Sequence, residues 1–187
     1  MPRAGLSPGA VVDAALRIVD VGGPEVLTLA AVAGECGVAT PSLYKHVAGL
    51  AELKALLAIR VLDEFTAAAT AAMLGRSGDD ALEALARAYY AFVTRHPNRY
   101  ALVPQRAVAD PGVTAAADRF LAVVFAVFKG YDLADDQVVH ATRVLRAALH
   151  GFAVLRGGFE MRQDVEVTLN VLIETLKAIR EAAGNAS

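Results

Sequence analysis

Apolar and polar positions along the chain repeat at helical spacing almost throughout. Val11, Val12, Ala15, Ile18 and Val19 recur at three- and four-residue intervals, and Gly22-Gly23-Pro24 ends that run. Ser7-Pro8 ahead of it reads as an N-cap followed by proline at the first helical position. Thr28 caps a second, short helix running to about Glu35, and Gly37 stands where the chain needs a left-handed residue to turn. Thr40-Pro41 repeats the cap-then-proline signature and starts a third helix that reaches only to about Val47. From Leu50 a longer helix carries Leu53, Leu56, Leu57, Val61 and Phe65 to about Leu74. Further helices are expected from Asp79 to just before Pro97, Asn98 to about Val108, Thr114–Tyr131, Asp135–Leu155 and Asp164–Ala182. Pro111-Gly112 and Gly157-Gly158 read as breaks between them. No stretch alternates with strand period, so the pattern predicts an all-α protein of about nine helices.

The last two long helices are apolar on more than one side. Val138, Leu145, Leu149 and Phe152 form one stripe, with Val139, Val144, Ala148 and Leu155 spreading around it. Val165, Leu169, Leu172, Ile173, Leu176 and Ile179 make a wide band, with Val167 and Val171 beyond its edge. A helix with two apolar faces has two neighbours to satisfy. One is the chain's own core. The second is expected to be the same helix pair of another subunit, giving a two-fold, four-helix interface in a homodimer; a helix buried centrally in a monomer is the plainer reading.

Composition narrows the class. The chain has 187 residues, 56% of them hydrophobic, and much of the excess over ordinary soluble domains is alanine, a strong helix former. Charges interrupt the apolar runs short of the roughly 18 residues a spanning helix needs. Met-Pro-Arg-Ala-Gly-Leu-Ser-Pro lacks the apolar core of a signal peptide, and the single cysteine suits a reducing compartment, so a cytoplasmic protein is expected. Net charge is −2, too low for a protein that coats nucleic acid.

Residues Thr28–Val47 nevertheless read as helix, glycine turn, helix. The second helix has the size and small polar groups to enter a DNA major groove. Residues 1–60 hold Arg3, Arg17, Lys45, Lys54 and Arg60 against Asp13, Asp20, Glu25, Glu35 and Glu52, five against five. Phosphate contact must then rest largely on hydroxyls and helix ends.

The order of features over residues 8–54 resembles the TetR family of bacterial transcriptional repressors. The matching residues are Ala14-Ala15-Leu16, Gly22-Gly23, Leu27-Thr28-Leu29, Val32-Ala33, Gly37-Val38, Leu43-Tyr44-x-His46 and Leu53, and Pro41–Val47 is similar to the branch containing the tetracycline repressor. Arg146–Phe152 resembles the Trp-His-Gly-type segment of one group of C-terminal domains in that family. The resemblance implies a helix-turn-helix DNA-binding domain over residues 1–49 and a helical ligand-binding and dimerisation domain over 50–187. It also implies a double-stranded operator, a small-molecule effector and a homodimer. Two departures stand out: the family's phosphate-binding lysine is Leu50 here, and the N-terminal arm offers only Arg3.

Thr40, Ser42, Lys45 and His46 are expected on the outer face of the third helix, with Leu43 and Val47 inward. The resemblance implies that Thr40, Pro41, Ser42 and Tyr44 lie close to DNA and that His46 neighbours a phosphate. Thr28 caps its helix and can also meet phosphate. Capping alone accounts equally well for Thr28; it is the lesser alternative for Thr40, as core packing is for the Tyr44 ring. Tyr89, Phe92, Phe120, Phe125 and Phe152 are candidates to line an effector pocket, with His140 and Arg143 as polar anchors; plain core packing is the alternative for every aromatic. Cys36 reads as a small packing residue.

No HExxH, phosphate loop, Gly-x-Ser-x-Gly or di-iron Glu-x-x-His pair is present, so neither catalysis nor a metal or other cofactor is expected. The competing reading is a helical small-molecule binding module that keeps this layout without binding an operator.

Overall fold

The computed structural model describes residues 6–106, 108–131, 133–154 and 165–184. It is all-helical there: α1 (Pro8–Gly22), α2 (Leu29–Cys36), α3 (Leu50–Met73), α4 (Gly78–Arg95), α5 (Pro97–Tyr100), α6 (Pro111–Lys129), α7 (Asp135–Val154) and α8 (Val165–Gly184). Two 3-10 helices, Pro24–Val26 and Thr40–Lys45, stand among them. Gly157-Gly158 and Leu155 lie outside the described residues.

Several ends are set by local chemistry. The Ser7 hydroxyl accepts from Ala10 N at 3.2 Å, and Pro8 opens α1. Thr28 Oγ1 accepts from Ala31 N at 3.1 Å and opens α2. Gly37, at φ 67° and ψ 32°, ends α2 in the left-handed region. There Gly37 N donates to Gly34 O and Val38 N to Ala33 O, both at 3.0 Å, a paired closure of the last turn.

Three expectations change. Pro111 does not break a helix but starts one: Asp110 Oδ1 accepts from Val113 N at 2.9 Å, so Asp110-Pro111 is another cap-then-proline start. The helix expected over Asn98–Val108 shrinks to the four residues of α5. Pro104 accounts for its shortness, because it biases Val103 away from helical backbone. The third element, Thr40–Lys45, is 3-10 rather than α, and Ala39, with no side-chain bond, occupies the cap position expected for Thr40.

Packing divides the chain into two compact units, one of Met1–Glu64 with His96–Ala117, the other of Phe65–Arg95 with Asp118–Ser187. The cut by packing therefore differs from a cut at residue 49. Short helices bury little surface by themselves, and the first unit completes its interior with more of the chain. Val11, Ala15, Val19, Val32 and Leu43 are fully buried there with Leu53, Leu57 and Val61 of α3. Ala58 and Leu62 of α3 pack with Val113 and Ala116 of α6.

In the second unit α4, α7 and α8 pack on one another. Leu82 and Leu85 of α4, Leu145 and Leu149 of α7, and Leu169, Ile173 and Leu176 of α8 are buried. Tyr131 Oη donates to Asp79 Oδ1 at 2.8 Å, and Arg87 of α4 binds Glu166 and, at 3.1 Å, Asn170 of α8. By length and composition α6 is apolar enough to cross a membrane, with mean hydropathy 1.5. Asp118 and Arg119 interrupt it, and Phe120, Val124, Val127 and Phe128 are buried in the second unit.

Candidate functional site

The 3-10 helix Thr40–Lys45 presents a polar surface on a fixed base. Leu43 and Val47 are buried, as their inward positions require, and anchor the turn to the core of the first unit. Backbone bonds from Ser42 N to Ala39 O and His46 N to Leu43 O, both 2.8 Å, hold its shape. Around this base Pro41, Tyr44 and Lys45 are exposed, and Thr40, Ser42 and His46 are half-buried. Tyr44 is 58% exposed, so its ring is not part of the core. Among the described residues, the side chains of Thr40, Ser42, Tyr44, Lys45 and His46 have no hydrogen-bond or ion-pair partner. Four polar side chains on a turn six residues long, and His46 directly after it, have uncommitted donors and acceptors available to an external partner.

Thr28, one element earlier, is exposed. Its oxygen is used in capping Ala31 N, while its O–H remains free to donate. Capping and phosphate contact are thus compatible in one hydroxyl.

The cations of this unit divide sharply. Arg17 pairs with Glu35 at 2.7 Å, and Arg60 with Asp13 at 3.1 Å. The Glu35 partner raises the Arg17 pKa further above its ordinary value. Lys45 and Lys54 are exposed and have no ion-pair partner among the described residues, and Arg3 lies outside them. Lys54 stands one turn beyond Leu50 on α3. Glu52 between them accepts from Ala48 N, which satisfies a donor at the start of that helix. Cys36 is half-buried, and desolvation pushes its thiol pKa up, which leaves little thiolate for redox chemistry.

The effector candidates fall into three groups. Tyr89 and Phe92 of α4 and Phe120 of α6 converge on Phe65, with centroid distances of 4.8, 4.4 and 4.4 Å, the last two stacked. Phe65 is the centre of this cluster, which its place on one apolar helix face does not foretell. Phe125 instead lines a cleft of about 490 Å³ with Lys129, Leu133, Asp135, Val138 and Val139. His140 and Arg143 are exposed on α7, apart from the aromatic cluster, and Phe152 is half-buried. Among the described residues, Thr142 Oγ1 is the buried side-chain polar atom without a partner. It shares the buried face of α7 with Val138, Leu145 and Leu149. No spacing motif singles it out, since a threonine in an apolar helix ordinarily bonds its own backbone. No group of three or more metal-ligating side chains occurs among the described residues.

Comparison with known proteins agrees with this layout. Residues 82–176 match the family profile of the tetracyclin repressor-like, C-terminal domain. The HTH-type transcriptional regulator YobS of Bacillus subtilis (strain 168) is 35% identical over 178 residues, covering 93% of this chain and 92% of YobS. The HTH-type transcriptional repressor DrrR1 of Streptomyces coeruleorubidus is 32% identical over 153 residues, covering 81% of this chain and 54% of DrrR1. A solved structure of a protein of unknown function from Rhodococcus sp. RHA1 shares the fold at TM-score 0.82 and 22% identity, covering 95% of this chain and 97% of that one. With its helix-turn-helix, its matched C-terminal domain and a relative of this kind matched over nearly its full length, the chain belongs to the TetR family of DNA-binding transcriptional regulators.

Proposed function

We propose that this protein is a homodimeric repressor that binds a near-palindromic operator and leaves it when a small apolar effector binds. The observation that carries the reading is the set of uncommitted polar side chains on Thr40–Lys45, held on a base of buried Leu43 and Val47. In this reading Thr40, Pro41, Ser42 and Tyr44 meet base edges and sugar, while Thr28, Lys45 and His46 meet phosphates. Residues 1–49 are then the DNA-contacting part and residues 50–187 the effector and dimer part. That the Streptomyces relative is named a repressor supports repression over activation.

Two copies must set their recognition turns about 34–36 Å apart, or a small multiple of that, to read successive major grooves. Val167 and Val171 of α8, 59% and 63% exposed, and exposed Val144 of α7 supply the second apolar face that such a dimer needs. The effector site is assigned to the second unit, where the aromatic residues around Phe65 supply apolar walls and α7 separately carries the buried, unpartnered Thr142 hydroxyl. Release follows if the effector binds better to a state with the wrong half-site separation.

An electrophoretic shift with DNA flanking the protein's own gene tests the reading. A specific shift that Ser42→Ala and Tyr44→Ala weaken is expected. No shift with any upstream fragment would leave the small-molecule binding module as the better account.

A further inference from the structure

Three arginines tie α1 to its neighbours within the first unit, and they are not equivalent. The Arg17–Glu35 and Arg60–Asp13 pairs have side chains 40–59% exposed, where water competes for every hydrogen bond. Arg99 of α5 is only 22% exposed. Its Nε donates to Asp20 Oδ1 and its Nη2 to Asp20 Oδ2, both at 2.7 Å, and its Nη1 donates to Glu64 Oε2 at 2.7 Å. Neighbouring Asn98 donates through Nδ2 to the Asp20 carbonyl at 3.1 Å. Asn98 and Arg99 of α5 thus grip the last turn of α1, by its backbone and by the Asp20 side chain, and Arg99 grips α3 through Glu64.

The grip answers a local need. Asp20 places a carboxylate near the C-terminus of α1, where the helix dipole opposes it and where α1 has no basic residue of its own. Arg99 brings the missing cation from another element, and Asn98 satisfies one of the orphan carbonyls there. Lysine cannot reproduce a planar fork that binds one carboxylate with two nitrogens and a second with the third.

The clamp also occupies a telling place in the chain. The first unit breaks off at Glu64 and resumes at His96. Glu64 is followed on the same helix by Phe65, the centre of the aromatic cluster of the second unit. Phe92, stacked on Phe65, lies one turn before the end of α4, and α5 follows directly. Both α3 and α4 therefore run, without a long loop, from an aromatic residue of that cluster to an end of the clamp.

We propose, resting on the effector-released repressor reading, that Arg99 is the positioning residue coupling the aromatic cluster to the DNA-reading module. It holds α1, and with it the helix-turn-helix packed on α1, in the operator-binding pose while Asp20 and Glu64 are both within its reach. A rearrangement around Phe65 draws Glu64 and α5 apart, opens the fork and frees α1.

The test needs no effector. Fluorescence anisotropy with an upstream fragment that wild type shifts is measured for Arg99→Met, Arg99→Lys, Phe92→Leu and the Arg99→Met/Phe92→Leu double variant, with thermal melting of each beside it. Arg99→Met is expected to weaken operator binding by about tenfold or more, a size usual for coupling between sites, while the melting transition stays cooperative. Phe92→Leu is expected to weaken binding in the wild-type background and to change it less than about twofold once Arg99 is gone, the non-additivity of residues acting through one path. If Arg99→Met does not fold, Arg99→Lys with and without Phe92→Leu decides by the same criteria. Unchanged binding by the Arg99 variants overturns the clamp and leaves operator binding intact. Independent, multiplying losses overturn the coupling. A wild type that shifts no fragment overturns the repressor reading and the clamp together.

Discussion

The salt dependence of operator binding is the sharpest consequence of how charge is arranged in the first unit. Residues 1–60 contain five cations, but Arg17 and Arg60 are held by Glu35 and Asp13. Lys45 and Lys54 are exposed and without an ion-pair partner among the described residues. A dimer offers four such lysines, and each phosphate neutralised contributes about −0.9 to the slope of log affinity against log salt, so these alone give about −3.6. Two Arg3 side chains would extend this to about −5.4, whereas a slope near −9 would require all ten cations of a dimer. The difference is large: between roughly 50 and 200 mM KCl a slope of −3.6 lowers affinity about 150-fold, and a slope of −9 more than about 10⁵-fold. Anisotropy titrations of a labelled operator over that range decide. Lys45→Gln, which removes one cation per subunit, is expected to make the slope shallower by about 1.8, and Lys54→Gln to do the same. Arg17→Gln is expected to leave it unchanged. A wild-type slope near −9, or an Arg17→Gln shift as large as that of Lys45→Gln, would refute the assignment of phosphate contacts.

Three further outcomes follow from single groups. Arg99 holds the Asp20 carboxyl below its usual pKa, so this pair adds stability above about pH 4 and loses it as pH falls through the lowered value; the stability gap between wild type and Asp20→Asn, from urea midpoints, should be flat from neutral to mildly acidic pH and shrink below about pH 4, and a gap constant to lower pH contradicts the linkage. Thr142→Val replaces a buried, unpartnered hydroxyl and is expected to leave stability unchanged or raise it by about 1 kcal/mol, which for a chain of this size moves Tm up by about 2–4 °C; a loss above about 1 kcal/mol would reveal a partner for that hydroxyl. Val171→Lys places a charge on the exposed apolar face of α8, and sedimentation should then find the 19.6 kDa chain alone, where the proposed wild-type dimer is expected at twice that mass; a variant that sediments like wild type removes this face from the interface.

The helix-turn-helix is legible in the chain because its signals are local. Ser7, Thr28 and Gly37 each act on backbone groups within a few residues, and the structure finds Ser7 and Thr28 as caps and Gly37 in the left-handed turn. The exposed faces of α7 and α8 are legible for a related reason: Val144, Val167 and Val171 fall outside one helical stripe, and all three are exposed. Where a residue has two local meanings, the pattern misleads. Pro111 ends one helix or starts another equally well until Asp110 is seen bonded to Val113. Contacts between distant segments leave no periodic trace. Nothing near Arg99 in sequence points to Asp20 or Glu64, 79 and 35 residues away, and Phe65 reads as one more apolar position of a long helix. His140 and Arg143 follow from the same blindness: residue type suggests an anchor, but only packing decides whether a helix turns it to the core or, as here, to solvent.

The near-neutral balance of the first sixty residues has a different meaning once the partners are known. Counted along the chain, five acids cancel five bases, and a weak hold on DNA follows. Counted by contact, Asp13 and Glu35 face arginines, Asp20 faces Arg99 from beyond residue 60, and Glu52 accepts from a backbone N–H. Four of the five acids are spent on architecture, and arginine, with its planar fork, is the cation suited to fixed pairs. Lysine, a hydrated point charge on a flexible stem, is left on the surface at positions 45 and 54. Field cancels where each arginine meets its acid and survives where lysine stands alone, so neutrality of the whole unit and a positive recognition turn are the same arrangement seen at two ranges. On the proposed reading, binding by so few free charges leaves discrimination to the hydroxyls of Thr40, Ser42 and Tyr44, which then have to fit an operator rather than any duplex.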